Sequence, residues 1–203
     1  MGKWFENFWY HHKWKTIIAV FVLVVIIFGI TSVLGKESYD GNIMIVGNQY
    51  ITKVMIEDIK NSFGKITDEK SKLNFGQLYY DPSQGDNFQA NEMARETLAT
   101  MAIQSYYIYI MSEQVYDLYK DSGVFENLSN IFEKIPDSAI DQYAIRLSET
   151  KFGKTNPGID SLSEDMVIVL KVIPYTRTAS AKKQEKKLYD FHKEIMINLV
   201  NYN

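Results

Sequence analysis

Tyr106-Tyr107-Ile108-Tyr109-Ile110-Met111 is a run of apolar and aromatic residues with no polar position to mark an outer face. A half-exposed strand alternates between apolar and polar residues. A continuous run of this length predicts a strand covered on both faces, as in parallel sheets flanked by helices. Upstream, Ile43-Met44-Ile45-Val46 predicts a first strand, ended by Gly47-Asn48. Ile51, Met55, Ile59 and Phe63 then recur at steps of four and, with Ile56, make one apolar helix face that stops at Gly64. A second strand is expected from Leu73 to Tyr80, a loop from Asp81 to Asn87, and a helix over 88–104 with the stripe Ala94, Leu98, Met101 and Ala102.

Downstream of the opening run, Ser112 stands where a helix cap belongs, Glu113 falls in the first turn and Gly123 stops the helix. Residues 43–123 therefore read β-α-β-α-β-α. Such alternation predicts an α/β fold, a mostly parallel sheet with helices on both faces. The later part is less regular. Tyr143 to Leu147 and Met166 to Ile173 read as strands, and 180–201 reads as a helix with Leu188, Phe191, Ile195 and Leu199 on one face.

Ahead of this domain, Thr16 to Leu34 carries no charge. At about 1.5 Å per residue, a helix of that length spans close to the ~30 Å hydrocarbon core of a bilayer. Lys13 and Lys15 precede it and Lys36 alone follows closely, which orients the N-terminus to the cytoplasm. Trp4, Phe5, Phe8, Trp9, Tyr10 and Trp14 suit the headgroup level, so residues 3–14 read as an interfacial helix. The expected order is a cytoplasmic or interfacial segment (1–15), a transmembrane helix (16–34), a linker (35–42) and an extracytoplasmic α/β domain (43–203). The localisation is a single pass through the cell membrane. A signal peptide cleaved near Gly35, with Val33 and Gly35 as the cleavage-site residues and Lys36 as the mature N-terminus, is the competing reading; an apolar run of this length favours a retained anchor.

Composition narrows the chemistry. The chain has no cysteine, which excludes disulfides, a thiol nucleophile, thiolate metal sites and a lipidated N-terminal cysteine. Lys3, Lys13 and Lys15 against Glu6 make the first 34 residues basic, leaving 19 basic and 24 acidic of the chain's 22 and 25 beyond them. An acidic domain argues against nucleic acid as a partner. Lys182, Lys183, Lys186 and Lys187 are a local exception, read here as one solvated helix face.

No nucleophile elbow, phosphate-binding loop, dinucleotide fingerprint, His-Glu-x-x-His or calcium-loop spacing occurs. No cofactor or metal site is expected, and no enzyme. His11 and His12 fall among headgroup contacts, and His192 reads as a surface or half-buried structural residue. Glu57 and Asp58 are adjacent on a helix, so they diverge by about 100° and cannot converge on one atom. Tyr79, Tyr80, Tyr106, Tyr107 and Tyr109 could stack on a flat ligand, but they read first as core.

Ile43-Met44-Ile45-Val46 with its helix, the helix 88–104 running into Tyr106–Met111, the stretch Ser112 to Asn130, and Met166 to Ile173 with the helix beyond together carry a resemblance. The chain resembles the type 2 extracellular solute-binding proteins of bacterial ABC importers, in a shortened, membrane-anchored form. It departs from them at Gln104-Ser105, where that family has Gly and Asp. The 168 residues from Lys36 onward are also too few for two lobes. The resemblance implies one solute-binding-like domain, with a small solute or an ABC permease as partner. In open α/β sheets ligands sit at the carboxyl ends of the strands. That rule points to Gly47, Asn48, Tyr80, Asp81 and Ser112. The alternative is a membrane-anchored interaction protein that keeps the fold without a ligand.

Overall fold

The computed structural model describes residues 2, 9–10, 14–18, 20–26, 39–84, 89–162, 164–176 and 178–202. The chain divides into two compact units, Met1–Ser38 and Tyr39–Asn203. In the first, residues 14–18 and 20–26 are helical, and the apolar side chains described from Ile17 to Ile26 are exposed. Among the described residues no helix is long and apolar enough to cross a membrane. The rest of the expected 16–34 span, and most of the expected 3–14 helix, lies outside the described residues.

The second unit is a mixed α/β domain around one five-stranded sheet. The strands are β1 (Gly41–Gly47), β2 (Leu73–Tyr79), β3 (Ile108–Ser112), β4 (Ala144–Arg146) and β5 (Met166–Leu170), in the order β2-β1-β3-β5-β4. β1 pairs in parallel with β2 and with β3. β5 runs against both its neighbours, β3 and β4. Four strands therefore point one way, and the mostly parallel sheet expected from residues 43–123 is present. β1 starts two residues earlier than the sequence suggested, because Gly41 and Asn42 pair with Leu73 and Asn74, so the linker loses its last two residues to the sheet.

The described residues of this unit form the helices α1 (Lys53–Gly64), α2 (Gln89–Ala99), α3 (Glu113–Tyr119), α4 (Lys151–Thr155), α5 (Pro157–Asp160) and α6 (Ala179–Val200). α1 is capped by Thr52, whose hydroxyl accepts the Met55 N–H at 3.3 Å. α2 stops at Ala99, short of the expected 104. Thr100 breaks it and a 3-10 turn, Met101–Ile103, follows, so Ala102 of the expected stripe is exposed while Ala94, Leu98 and Met101 are buried. Gly123 adopts φ 72°, the left-handed conformation, just past the 3-10 turn that follows α3.

Alternation along the strands sorts side chains to two cores. Ile43, Ile45, Ile108, Ile110, Ile168 and Leu170 face one way, packed with Ile59 and Phe63 of α1, Phe152 of α4, Ile159 of α5 and Ile195, Met196 and Leu199 of α6. Met44, Val46, Tyr109, Met111, Val167 and Val169 face the other way, against Ala94 and Leu98 of α2 and Val115 and Tyr116 of α3. Each large apolar side chain so buried contributes about 1.5–3 kcal/mol. Every residue of β3 is buried, as the unbroken apolar run requires.

The two early crossovers move in opposite directions along the sheet, from β1 out to β2 and from β2 back past β1 to β3. Crossovers of one hand that diverge in this way must lie on opposite sheet faces. α1, between β1 and β2, is on the first face, and α2, between β2 and β3, is on the second. The domain therefore has a topological switch point, between the carboxyl ends of β1 and β3. Where α5 crosses α1, a Cβ on Gly158 would lie 2.3 Å from the Asp58 carbonyl, so only glycine allows this approach.

Candidate functional site

The five residues expected to meet a ligand do gather near the carboxyl ends of the parallel strands, but their own chain uses most of them. Gly47 ends β1 and is buried; its carbonyl accepts the Tyr80 N–H at 2.9 Å. Tyr80 is 5% exposed and packs in the second core. Asp81 is 8% exposed. One of its carboxylate oxygens accepts from the Ser83 N–H at 3.0 Å and the Ser83 hydroxyl at 2.6 Å, and the other accepts from Gln84 at 2.8 Å. Those bonds, from Ser83 first and Gln84 second, hold its carboxyl below the usual carboxylate range. Asn91 closes the turn, accepting the Asp81 N–H at 3.0 Å and donating to its carbonyl at 2.5 Å.

Ser112 stands at the N-cap of α3, yet its hydroxyl accepts no capping bond; Glu113 instead donates its N–H to the Asp165 carbonyl at 3.0 Å. Asn48 is exposed. Of the expected set, Gly47 and Asn48 line a crevice, together with Tyr50, Gln77, Tyr79 and Met166. Its volume is about 120 Å³. Drug-sized ligands occupy pockets of roughly 300–1,000 Å³. Residues 85–88 of the adjoining loop lie outside the described residues.

The opposite, amino end of the sheet holds a polar set that the sequence reading missed. Lys171 follows β5 and is 0% exposed. Its ammonium donates to the Gln104 carbonyl, and to the Met101 carbonyl at 3.4 Å. It also lies 4.8 Å from the centre of the Tyr107 ring. Two carbonyls and one aromatic face thus surround the ammonium. Burial pushes the Lys171 amine down to about 8, against an opposing pull from Glu185. The Tyr107 hydroxyl donates to the Glu185 carboxylate of α6, and burial followed by that carboxylate raises the phenol.

His192 belongs to the same set and is fully buried, deeper than the sequence suggested. Its ring stacks on Tyr107 at 5.1 Å and meets Phe191 edge-on at 5.5 Å. Nε2 accepts the Asn42 N–H at 3.0 Å, while Nδ1 lies 2.6 Å from the Leu188 carbonyl, so Nδ1 carries the proton and the ring is neutral. Burial, before any other cause, lowers its pKa from 6.5. A sequence signal for this set existed: Lys171 interrupts the apolar run Met166-Val-Ile-Val-Leu-Lys-Val-Ile173.

The tyrosine group is split by the fold. Tyr79 and Tyr80 lie at the carboxyl end, whereas Tyr106 and Tyr107 lie just before β3, at the amino end. Tyr107 and Tyr109 point to opposite cores. Glu57 and Asp58 are exposed, and Glu57 pairs loosely with Lys60 at 3.7 Å. Among the described residues no group of three or more His, Asp or Glu converges as metal ligands do. No family model, curated protein or solved structure matches this chain.

Proposed function

We propose that residues 39–203 form a membrane-anchored, extracytoplasmic interaction domain, a solute-binding-like lobe that acts through its surface. The observation that carries this reading is the crevice at the carboxyl ends of β1 and β2, about 120 Å³ in volume. Beside it, Tyr80, Asp81 and Ser112 are each less than a tenth exposed. A solute site needs polar groups that await a ligand. Here the Asp81 carboxylate is already filled by Ser83 and Gln84.

The anchor in this reading is the uncharged segment Thr16 to Leu34. The exposed apolar side chains of its described helical residues, Ile17 to Ile26, support it, because lipid is the solvent such a surface suits. Lys13 and Lys15 before the span orient the domain outward. The reading includes no catalytic step, cofactor or metal.

Photo-crosslinking of the full chain in intact membranes tests the proposal. A discrete protein adduct that recurs between preparations, and is lost when the domain is unfolded by Gly158→Val, is the expected result. Recovery of lipid adducts alone would overturn it.

A second reading keeps a small solute in the crevice, contacted by Asn48, Gln77 and Tyr50 and passed to an ABC permease. The crevice's position beside the switch point favours it. In that case a solute protects the chain against thermal unfolding, and Gln77→Ala removes the protection.

A further inference from the structure

The four α6 lysines break three local rules at once. Lys182, Lys183, Lys186 and Lys187 are all exposed, and they occupy the amino-terminal part of a helix that begins at Ala179. Lys182 falls in the first turn, where cations are disfavoured because the helix dipole makes that end positive. Lys182 with Lys186, and Lys183 with Lys187, are like charges four residues apart, which repel. Among the described residues none of the four pairs with a carboxylate. A solvated face needs no such arrangement, since glutamates in the first turn would solvate it and favour the dipole. Local rules broken together mark positions held for another purpose.

The position of the lysines narrows that purpose. Lys187 lines a groove of about 730 Å³ together with Lys70 and Tyr39, the first residue of the domain. Four residues, 35–38, separate Tyr39 from Leu34. An extended chain covers at most about 3.5 Å per residue, so a tether of this length reaches at most roughly 17 Å. The headgroup layer occupies several of those ångströms, and charges act over a Debye length of about 8–10 Å at physiological salt. The same end of the sheet exposes apolar side chains of the kind that enter a headgroup layer: Tyr175 is 91% exposed, just ahead of α6, and Ile103, just ahead of β3, is 81% exposed. Asp40, Asp68 and Glu69 also line the groove, against Lys70 and Lys187, so the basic surface is the exposed α6 face that carries all four lysines and not the groove itself.

We propose that the amino-terminal half of α6 docks the domain onto the anionic lipid headgroups of the membrane that anchors it. The proposal rests on the anchor reading above. Each lysine near an anionic surface adds to the attraction, and four on one helix face make a contact that salt weakens.

The absence of cysteine makes the test clean, since one introduced cysteine gives one labelled site. The full chain is reconstituted in phosphatidylcholine vesicles, with or without phosphatidylglycerol, and spin-labelled at Gln184→Cys or, at the opposite end of the sheet, at Asn48→Cys. A nickel-chelating lipid headgroup reports proximity. The expected result is relaxation at position 184 about fivefold stronger with phosphatidylglycerol than without, and little change at 48. At about 1 M salt, where the Debye length is ~3 Å, the difference disappears. Changing all four lysines to glutamate abolishes it, and changing them to glutamine, a milder variant that keeps the helix, reduces it to the phosphatidylcholine level. Unchanged relaxation in either variant, with the chain still resisting carbonate extraction, overturns the docking and leaves the anchor standing. Displacement by a soluble anionic polymer without any response to phosphatidylglycerol overturns it in favour of a wall polymer. Release of the chain by carbonate overturns the anchor and the docking together.

Discussion

At the carboxyl end of the sheet Gly47, Tyr80, Asp81 and Ser112 are covered by their own chain beside a crevice of about 120 Å³, whereas the amino end gathers Lys171, Tyr107, Glu185 and His192 near a groove of about 730 Å³. Doubly wound sheets ordinarily put their chemistry at the carboxyl end, where loops diverge at the switch point. In this chain the switch point is present, and the Asp81 carboxylate beside it is satisfied by Ser83 and Gln84. The buried polar groups at the other end reach far along the sequence, from Asn42 to His192 and from Gln104 to Lys171. Long-range polar contacts of this kind join β1, the segment before β3, the end of β5 and α6 into one structure. The architecture thus belongs to one kind of fold, with a buried lysine and a buried histidine at the end that such folds ordinarily leave plain.

Substitutions at the two ends should differ in proportion. Lys171→Met keeps the volume but removes the donors to the Met101 and Gln104 carbonyls. The Gln104 carbonyl loses its ammonium donor and the Met101 carbonyl keeps only the Gln104 N–H at 3.3 Å, which makes this the largest effect, a loss of about 3 kcal/mol measured by urea unfolding. A loss below about 1 kcal/mol would show that the ammonium contributes nothing net over an apolar side chain. His192→Phe keeps the stacking on Tyr107 but leaves the Asn42 N–H without its acceptor, and about 2 kcal/mol should be lost.

pH sharpens the same contrast. The His192 pKa is lowered from 6.5 in the folded protein by burial. Above pH 6.5 the ring is neutral in both states and its contribution is complete. As pH falls below 6.5 the unfolded chain takes up a proton that the native ring refuses, so stability drops toward the folded pKa. A single proton limits that slope to about 1.4 kcal/mol per pH unit. The drop should be read as the difference between the native chain and His192→Phe in urea midpoints at pH 7.5 and pH 5. Equal slopes in the two proteins would contradict a neutral buried ring.

The carboxyl end gives the smallest effects. Asp81→Asn retains an acceptor for Ser83 and should lose about 0.5–1 kcal/mol, and Asn48→Ala, at an exposed loop position, should stay within about 0.5 kcal/mol. A larger loss at Asn48 than at His192 would reverse the comparison.

Much of the architecture was legible because periodicity reports burial. Ile59 and Phe63 at a step of four marked the inner face of α1, and the unbroken run Ile108–Met111 marked a strand buried on both faces. Direction was not legible. A short apolar strand such as Met166–Leu170 has the same pattern whether it runs with or against its neighbours, and the sheet makes β5 antiparallel. The end of α2 was missed because Met101 is buried whether it lies on a helix or on the 3-10 turn that follows.

The site was less legible than the fold. The switch-point rule located Gly47 and Asn48 beside a crevice, yet it carries no information on whether Asp81 will spend its oxygens on Ser83 two residues away. The set at the amino end is assembled from residues far apart in sequence, and only the lysine inside an apolar run at 171 betrayed it. His192 looked isolated because its partners, Asn42 and Tyr107, come from other elements.

Thermal unfolding of the full chain against a millimolar panel of sugars, amino acids and short peptides tests the central claim most directly. A solute present at 100 times its Kd stabilises by about 2.7 kcal/mol. For a domain of this size that is a rise in Tm of roughly 5–10 °C. The surface-acting domain described here should show shifts below about 1 °C with every class. A rise of several degrees with any one class, removed by Gln77→Ala or Asn48→Ala, would place a working solute site in the carboxyl-end crevice and contradict the account.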